Sequence, residues 1–135
     1  MIKKFKEFNE AAYPITIFEI LSKEEVEDQF LRLEEVLGNK CRIARDSEYY
    51  FIVIEDIIGN IGRLDIYDPI NDTVTYSPEV FKELTMIKNR IESMYPSLTM
   101  ITYRVGEAYY LCVYIFKKEA MDDFLLRIQN GQVRT

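Results

Sequence analysis

The segment YYLCVYIF, residues 109–116, decides the fold, because its eight residues include no charge, no glycine and no proline. Successive side chains of a strand point to opposite faces of a sheet. Three aliphatic side chains then share one face: Leu111, Val113 and Ile115. Three aromatic side chains and one thiol share the other: Tyr110, Cys112, Tyr114 and Phe116. The first face has the composition of a core, and the fold depends on what covers the aromatic one.

Three amphipathic segments are predicted to be helices. The first opens with a capping box formed by Ser22 and Glu25, and Gly38 is suited to its C-terminal stop. The second begins at Ser77 and Pro78, a cap followed by a residue that fits the first helical turn. The helices are expected at residues 22–37, 78–94 and 117–129.

Strands are predicted for the remaining apolar segments, most of them paired as hairpins. Their bounds are PITIFEI at 14–20, CRIAR at 41–45 with EYYFIVIED at 48–56, RLDIY at 63–67 with TVTY at 73–76, and LTMITYR at 98–104 with AYYLCVYIF at 108–116. The predicted fold class is α+β, with a mostly antiparallel sheet of about five to seven strands and three main helices. The element order is β-α-β-β-β-β-α-β-β-α in a single domain over 1–135, in which 1–12 forms a loose arm or a short helix.

Composition excludes several classes of function. The 135 residues carry a net charge of −6, which weighs against a phosphate-backbone binder, whose affinity comes from clustered Lys and Arg. The sequence has no histidine, so catalytic triads and metal sites that need imidazole are excluded. Cys41 and Cys112 lie in apolar segments, as expected of buried thiols in a reducing cytoplasm. No apolar run reaches the length of a membrane span, so a soluble, cytoplasmic protein is expected.

Two segments resemble ligand sites, and both are interpreted as turns. The sequence IIGNIGR, 57–63, contains the G-x-x-G of KH domains, but its flanks are strand-like and it lacks the usual internal basic residue. The sequence DIYDPINDT, 65–73, has the oxygen-bearing side chains that calcium prefers without the EF-hand spacing. No catalytic residue, cofactor or metal site is therefore predicted, and the chain is not expected to be an enzyme.

The aromatic face and the acidic first helix are the two candidate binding surfaces. The rings either lie under the last helix or line a groove or a dimer seam, where amphipathic rings are enriched. The carboxylates of the helix form either a solvated face or a surface offered to a basic partner. Residues at the end of the second helix are predicted to join the seam. The candidate partner-binding residues are Tyr110, Tyr114, Phe116, Met94, Tyr95, Glu24, Glu27 and Asp28.

The element order from Lys23 to Asn130, α-β-β-β-α-β-β-α, resembles the type III secretion chaperone fold and the related YbjN-like domains. The resemblance rests on element order, size and acidity. It implies a homodimer that binds an extended segment of a client protein along its sheet and helix surfaces, without hydrolysing it. PITIFEI and the hairpin about DPIND depart from that pattern.

The sequence therefore favours a small acidic protein-binding domain, chaperone-like or adaptor-like and non-catalytic. One alternative is an acidic inhibitor or decoy of the phage or immunity type, in which the helix at 22–37 mimics a polyanion. A small carboxylate-based enzyme is the third class. The expected partner is another protein rather than nucleic acid or a membrane. A two-fold homodimer is also expected through the strand at 108–116, treated as a sheet edge, so that Tyr114→Glu would split it.

Overall fold

The computed structural model describes residues 15–55, 67–68, 73–74, 78–103 and 110–135 of the chain. The α+β class is confirmed, and three of the helices (α2, α3 and α4 below) fall where the sequence predicts them. In chain order the elements are α1 Ile17–Ile20, α2 Lys23–Glu35, β1 Cys41–Arg45, β2 Tyr49–Ile54, β3 Tyr67–Asp68, β4 Thr73–Val74, α3 Pro78–Met94, β5 Leu98–Tyr103, β6 Leu111–Lys117 and α4 Met121–Gln129, with a 3-10 turn, Lys118–Ala120, before α4.

The main sheet has four strands in the order β1-β2-β6-β5, and each neighbouring pair is antiparallel. The hairpins β1–β2 and β5–β6 are confirmed, and the β2–β6 pairing joins them in the middle of the sheet. The prediction of five to seven strands is wrong, because β3 and β4 pair with each other in a separate two-stranded sheet. The remainder of the predicted 63–67 and 73–76 strands lies outside the described residues.

Strand β6 lies in the interior of the sheet, so the prediction that it is an edge is wrong. β2 pairs with it over Leu111–Phe116, and β5 pairs with it over Cys112–Lys117. Both rows of its backbone hydrogen-bonding groups are therefore occupied along the strand. A second chain therefore cannot add to the sheet by pairing its backbone with β6.

The aliphatic face of the sheet carries the larger core. Val113 and Ile115 of β6 share this face with Ile52 and Ile54 of β2, and all four side chains are buried. Helices α2 and α3 cover the face with Val26, Phe30, Leu33, Leu84, Ile87 and Ile91. The predicted division of β6 into an aliphatic and an aromatic face is therefore confirmed.

Helix α4 covers one half of the aromatic face. The Phe124 ring stacks on Phe116 with 4.2 Å between the centroids and an interplanar angle of 16°. The same ring meets Tyr49 and Tyr114 edge-on, each at a centroid distance of 5.2 Å. All four rings are buried. On this half of the sheet, the interpretation that the aromatic face lies under the last helix is confirmed.

Residues 17–20 form a helical turn, although the sequence predicts a strand over 14–20. The Leu21 N–H donates to the Ile17 carbonyl at 2.9 Å, and both side chains are buried in the aliphatic core. Their four-residue spacing matches one turn of a helix, which points both side chains the same way. The Tyr50 hydroxyl donates to the Leu21 carbonyl, so β2 holds the junction between α1 and α2.

The start and the end of α2 follow the predicted signals. Ser22 Oγ accepts from the Glu25 N–H at 3.2 Å, and Glu25 Oε1 accepts from the Ser22 N–H at 3.3 Å, which completes the capping box. Gly38 has a φ of 74°, a left-handed conformation that glycine adopts without steric cost. These local contacts fix where α2 begins and ends, so that the helix contains the residues whose apolar side chains face the sheet.

Side chains of α3 close the β5 edge of the sheet at Met100. Lys88 Nζ donates to the Met100 carbonyl at 2.8 Å, and the Met100 N–H donates to Glu92 Oε2 at 3.2 Å. Lys88 and Glu92 also form an ion pair, with 2.6 Å between Nζ and Oε2. An edge whose outward backbone groups are already bonded is protected against pairing with another chain.

We expect Glu92→Gln to destabilise the chain in a pH-dependent way. Partial burial raises the pKa of Glu92, but hydrogen bonds from Lys88, Thr99 and the Met100 amide outweigh it, so the pKa lies below its usual value. A lowered folded-state pKa stabilises the fold above the unfolded-state value, and this stabilisation is lost as the pH falls through the folded-state pKa. Urea unfolding should show a larger difference between wild type and variant at about pH 7 than at about pH 3. A difference that is equal at both pH values would contradict the role of the charge.

Candidate binding groove on the aromatic face

A turn after α4 returns the chain to the aromatic face. The Gly131 N–H donates to the Ile128 carbonyl at 3.1 Å and the Gln132 N–H to the Arg127 carbonyl at 2.8 Å, the two bonds of a Schellman motif. Gly131 has a φ of 67°, as its predicted role in ending the helix requires. Residues 132–135, called the tail below, then lie against the sheet. Val133 is buried among the rings on the aromatic face beneath α4.

Two tyrosine hydroxyls hold the tail at Arg134. The Arg134 N–H donates to Tyr49 Oη at 3.1 Å, and Tyr114 Oη donates to the Arg134 carbonyl at 2.5 Å. Burial raises the pKa of both tyrosines, so both hydroxyls stay protonated at neutral pH. The rings beneath α4 thus also fix the backbone of the tail.

The other half of the aromatic face is an open groove of about 310 Å³ between β1 and the tail. Ala44 and Val53, which lie in it, are half-buried, whereas the rings beneath α4 are buried. The groove is lined by Arg42, Ile43, Ala44, Phe51, Val53, Glu55, Tyr110, Arg134 and Thr135. The aromatic face is therefore covered on one half and open on the other.

The groove combines an apolar floor with two guanidinium groups. The Arg134 guanidinium lies over the Phe51 ring, 5.2 Å from its centroid, a position favoured by the quadrupole of the ring. Arg42 pairs with Glu55, with 2.6 Å between Nη2 and Oε1. Within the part of the chain that the structure describes, Arg134 forms no ion pair. Among the described residues, the positive charge of Arg134 beside the apolar floor is therefore unpaired.

The predicted aromatic binding residues are divided between the covered and the open half. Tyr110 lines the groove. Tyr114 and Phe116 are buried beneath α4 and the tail, so neither ring reaches the surface. The three side chains do not form one open surface, because Phe124 occupies the space above the two buried rings.

Met94 and Tyr95 are not brought together with Tyr110. Met94 is 53% exposed at the end of α3, and Tyr95 packs against the aliphatic core on the other side of the sheet. The Tyr95 hydroxyl donates to the Glu25 carboxylate and so links α3 to α2. A single seam containing these residues and β6 is therefore not formed. The acidic candidates Glu24, Glu27 and Asp28 are exposed on α2.

Of the two segments interpreted as turns, 57–63 lies entirely outside the described residues and 65–73 lies largely outside them. Of 65–73, the structure describes the antiparallel pairing of Tyr67–Asp68 with Thr73–Val74. In the described ranges, no group of three or more His, Cys, Asp or Glu side chains is placed to hold a metal ion. No helix among the same residues is long and apolar enough to cross a membrane.

Comparisons with protein-family models, with curated proteins and with solved structures find no match to this chain. The role of the groove therefore has to follow from the residues that line it. Sequence reasoning missed Arg42, Val53 and Arg134. Strand alternation could have placed Arg42 and Val53 on the aromatic face, but nothing in the sequence indicates that the tail folds back to deliver Arg134.

Proposed function

We propose that the chain is a non-catalytic protein-binding domain that holds an extended segment of another protein in this groove. The observation that carries the proposal is the half-covered aromatic face, where Phe51 and Val53 lie beside the Arg134 guanidinium. Apolar surface with a few placed polar groups is the usual composition of a recognition site. The resemblance to type III secretion chaperones stays a prediction, and it implies the same class of partner.

The size and openness of the groove favour part of a polypeptide over an enclosed small molecule. Its volume of about 310 Å³ is at the lower end of the range for small-molecule pockets, about 300–1,000 Å³. It is open to solvent, and residues of β1, an edge strand of the four-stranded sheet, form part of its lining. Such a groove accommodates one or two side chains of a longer segment, whose remaining residues stay outside it.

The charges of the groove favour an acidic residue next to an apolar one in the bound segment. A guanidinium binds a carboxylate through two parallel hydrogen bonds, and Arg134 has no such partner among the described residues. Glu55 neutralises Arg42, so the groove is not a continuous basic surface of the kind that binds a phosphate backbone. Phe51 is covered by Arg134 and offers no open ring face for stacking a base.

Selection from a displayed library of random peptides tests this proposal. Peptides selected on the wild-type chain are expected to carry an acidic residue beside an apolar one and to bind Arg134→Glu about tenfold more weakly. The substitution reverses the side-chain charge but keeps the backbone bonds from residue 134 to Tyr49 and Tyr114. Lys82→Glu makes the same charge change at an exposed position of α3 outside the groove, and it is expected to leave binding unchanged.

Two results would contradict the groove as the binding surface. One is a set of peptides that bind wild type and Arg134→Glu with equal affinity. The other is a set that Lys82→Glu weakens as much as Arg134→Glu does, because the effect would then come from net charge rather than from the groove. Circular dichroism of both variants verifies that each remains folded.

The exposed carboxylates of α2 support a second candidate function, a polyanion mimic that binds a basic protein. Glu24, Glu27 and Asp28 are exposed, and none of them forms an ion pair with the residues that the structure describes. Binding through such a surface should weaken steeply between low and moderate salt, whereas binding in an apolar groove should change little. Repeating any partner-binding measurement at two salt concentrations separates the two functions.

A further inference from the structure

The outer edge of β1 differs from the closed edge of β5. The β1–β2 ladder is bounded by the bond from the Glu55 N–H to the Lys40 carbonyl and that from the Asp46 N–H to the Tyr49 carbonyl, each 2.9 Å long. Antiparallel ladders alternate between residues that bond to the neighbouring strand and residues that point away from it. Within the described residues no strand pairs with the outer side of β1. Three of its residues point their backbone groups outward: Cys41, Ile43 and Arg45.

We infer that this edge binds a second copy of the chain, with the two β1 strands antiparallel about a two-fold axis at Ile43. In this register Ile43 lies opposite Ile43 of the second copy, and Cys41 lies opposite Arg45 of the second copy. Each opposed pair exchanges two backbone hydrogen bonds, because the outward groups of both strands face each other. The two four-stranded sheets become one continuous sheet, and the symmetry closes the assembly at a dimer.

The charges near the two ends of β1 are complementary in this register. Arg45 forms no ion pair with a described carboxylate, and its guanidinium lies 5.2 Å from the centroid of the Phe18 ring. Glu34 lies in the last turn of α2, a helix that packs against β1, and after burial its carboxylate is the second cause that raises the pKa of the Cys41 thiol, to about 12. Glu34 is exposed and likewise has no ion-pair partner among the described side chains. Placing Arg45 of one copy opposite Cys41 of the other therefore brings its guanidinium close to the Glu34 carboxylate of that other copy. By symmetry this pair forms once at each end of the seam.

Of the four other axes on β1, those at Cys41, Arg42 and Arg45 oppose like charges. An axis at Arg42 or at Arg45 sets that arginine opposite its own copy, and like charges directly opposite destabilise a strand pair. An axis at Cys41 sets Arg42 opposite Lys40, with the same effect. The axis at Ile43 sets Arg42 opposite Ala44 instead. It also places the two grooves next to each other across the seam, because Arg42 and Ala44 line the groove of each copy.

An axis at Ala44 is the remaining alternative, and it would oppose Arg42 to Asp46. Both of these side chains already have partners, since Arg42 pairs with Glu55 at 2.6 Å and the Asp46 carboxylate accepts the Ser47 N–H at 2.7 Å. This register gives Arg45 no carboxylate to pair with. The dimer Kd of charge-reversed variants distinguishes the two registers. With the axis at Ile43 the effects of substituting Arg45 and Glu34 compensate each other, whereas with the axis at Ala44 they do not.

Sedimentation of charge-reversed variants tests the inference. The wild type is expected to sediment with twice the chain mass of 16.0 kDa at tens of micromolar. Arg45→Glu and Glu34→Arg each replace an attraction by a repulsion at both ends of the seam, and each is expected to raise the dimer Kd by about tenfold. The double variant restores the pair with its charges exchanged, and its Kd is expected to return to within about threefold of wild type.

Lys82→Glu is the matched charge control and should leave the dimer Kd unchanged. Both substituted positions are exposed, so the variants should keep the wild-type circular dichroism spectrum. A wild-type mass of 16.0 kDa at every concentration would overturn the inference. A dimer that the double variant does not restore would overturn it as well, because Arg45 and Glu34 would then not meet across the seam.

Discussion

Tyr114→Glu is expected to unfold the chain. Tyr114 is 0% exposed in the central strand β6, and its ring lies 5.2 Å from Phe124 and 5.5 Å from Phe51. A carboxylate at this position is buried without a cationic partner, which costs at least about 5 kcal/mol, the whole stability of many domains. The variant also loses the hydroxyl that donates to the Arg134 carbonyl. Circular dichroism and urea unfolding measure the effect directly.

Tyr103→Glu is the control for this substitution. Tyr103 is 37% exposed at the end of the edge strand β5, so a carboxylate there stays hydrated and should cost less than about 1 kcal/mol. If Tyr114→Glu folds with nearly wild-type stability, the placement of α4 and the tail over the aromatic face is wrong. The sequence predicts that Tyr114→Glu splits a dimer. Because the Tyr114 side chain does not reach the surface, we expect loss of folding instead.

Phe124→Ala is expected to lower the free energy of unfolding by about 3–5 kcal/mol. The Phe124 ring contacts Phe116, Tyr49 and Tyr114, and no other α4 side chain is buried. Truncation leaves a cavity over these three rings and removes the one fully buried side chain of α4 from the aromatic face. Urea unfolding at constant m-value gives the free energy, and loss of the near-ultraviolet tyrosine signal should accompany it.

Leu125→Ala is the matched control, because it introduces alanine at the next position of the same helix. Leu125 is 44% exposed, and its truncation should cost less than about 1 kcal/mol. Equal losses for the two variants would show that the two faces of α4 are equally buried, which contradicts the stacked contact between Phe124 and Phe116.

Local features of the fold could be predicted because they depend on contacts between near neighbours. The capping box of Ser22 and Glu25 and the glycine at the end of α4 need only a few consecutive residues. The two faces of β6 follow from strand alternation alone. The hairpins β1–β2 and β5–β6 join segments that are adjacent in sequence.

The position of each strand in the sheet could not be predicted, because it depends on contacts between distant segments. The β2–β6 pairing joins the two hairpins, and nothing in β6 itself shows that both of its edges are occupied. The tyrosine-rich composition of β6 suits an interface and an interior layer equally well. The prediction that β6 is a sheet edge is therefore wrong.

The helical turn α1 could not be predicted from the composition of its segment. Ile15, Ile17 and Ile20 are β-branched and partly alternating, so PITIFEI has the composition of a strand. Ile17 and Leu21 are nevertheless buried together against the aliphatic face, which a single helical turn allows. In a segment of seven residues, tertiary burial outweighs local propensity.

The groove was missed for the same reason as the sheet order. Its residues come from β1, β2, the start of β6 and the tail. Arg134 reaches it because the Schellman turn and the hydroxyls of Tyr49 and Tyr114 position the tail. The structure shows each of these contacts, but the sequence does not indicate that together they bring Arg134 to the groove.

Nuclear magnetic resonance with a soluble paramagnetic agent tests most directly whether half of the aromatic face is open. The methyl groups of Ala44 and Val53 lie in the groove, whereas those of Ile52 and Val113 are buried on the aliphatic face. The agent should strongly reduce the Ala44 and Val53 signals and leave the Ile52 and Val113 signals nearly unchanged. Ala44 and Val53 signals as well protected as those of Ile52 and Val113 would show that the groove is covered, and would contradict the binding surface proposed here.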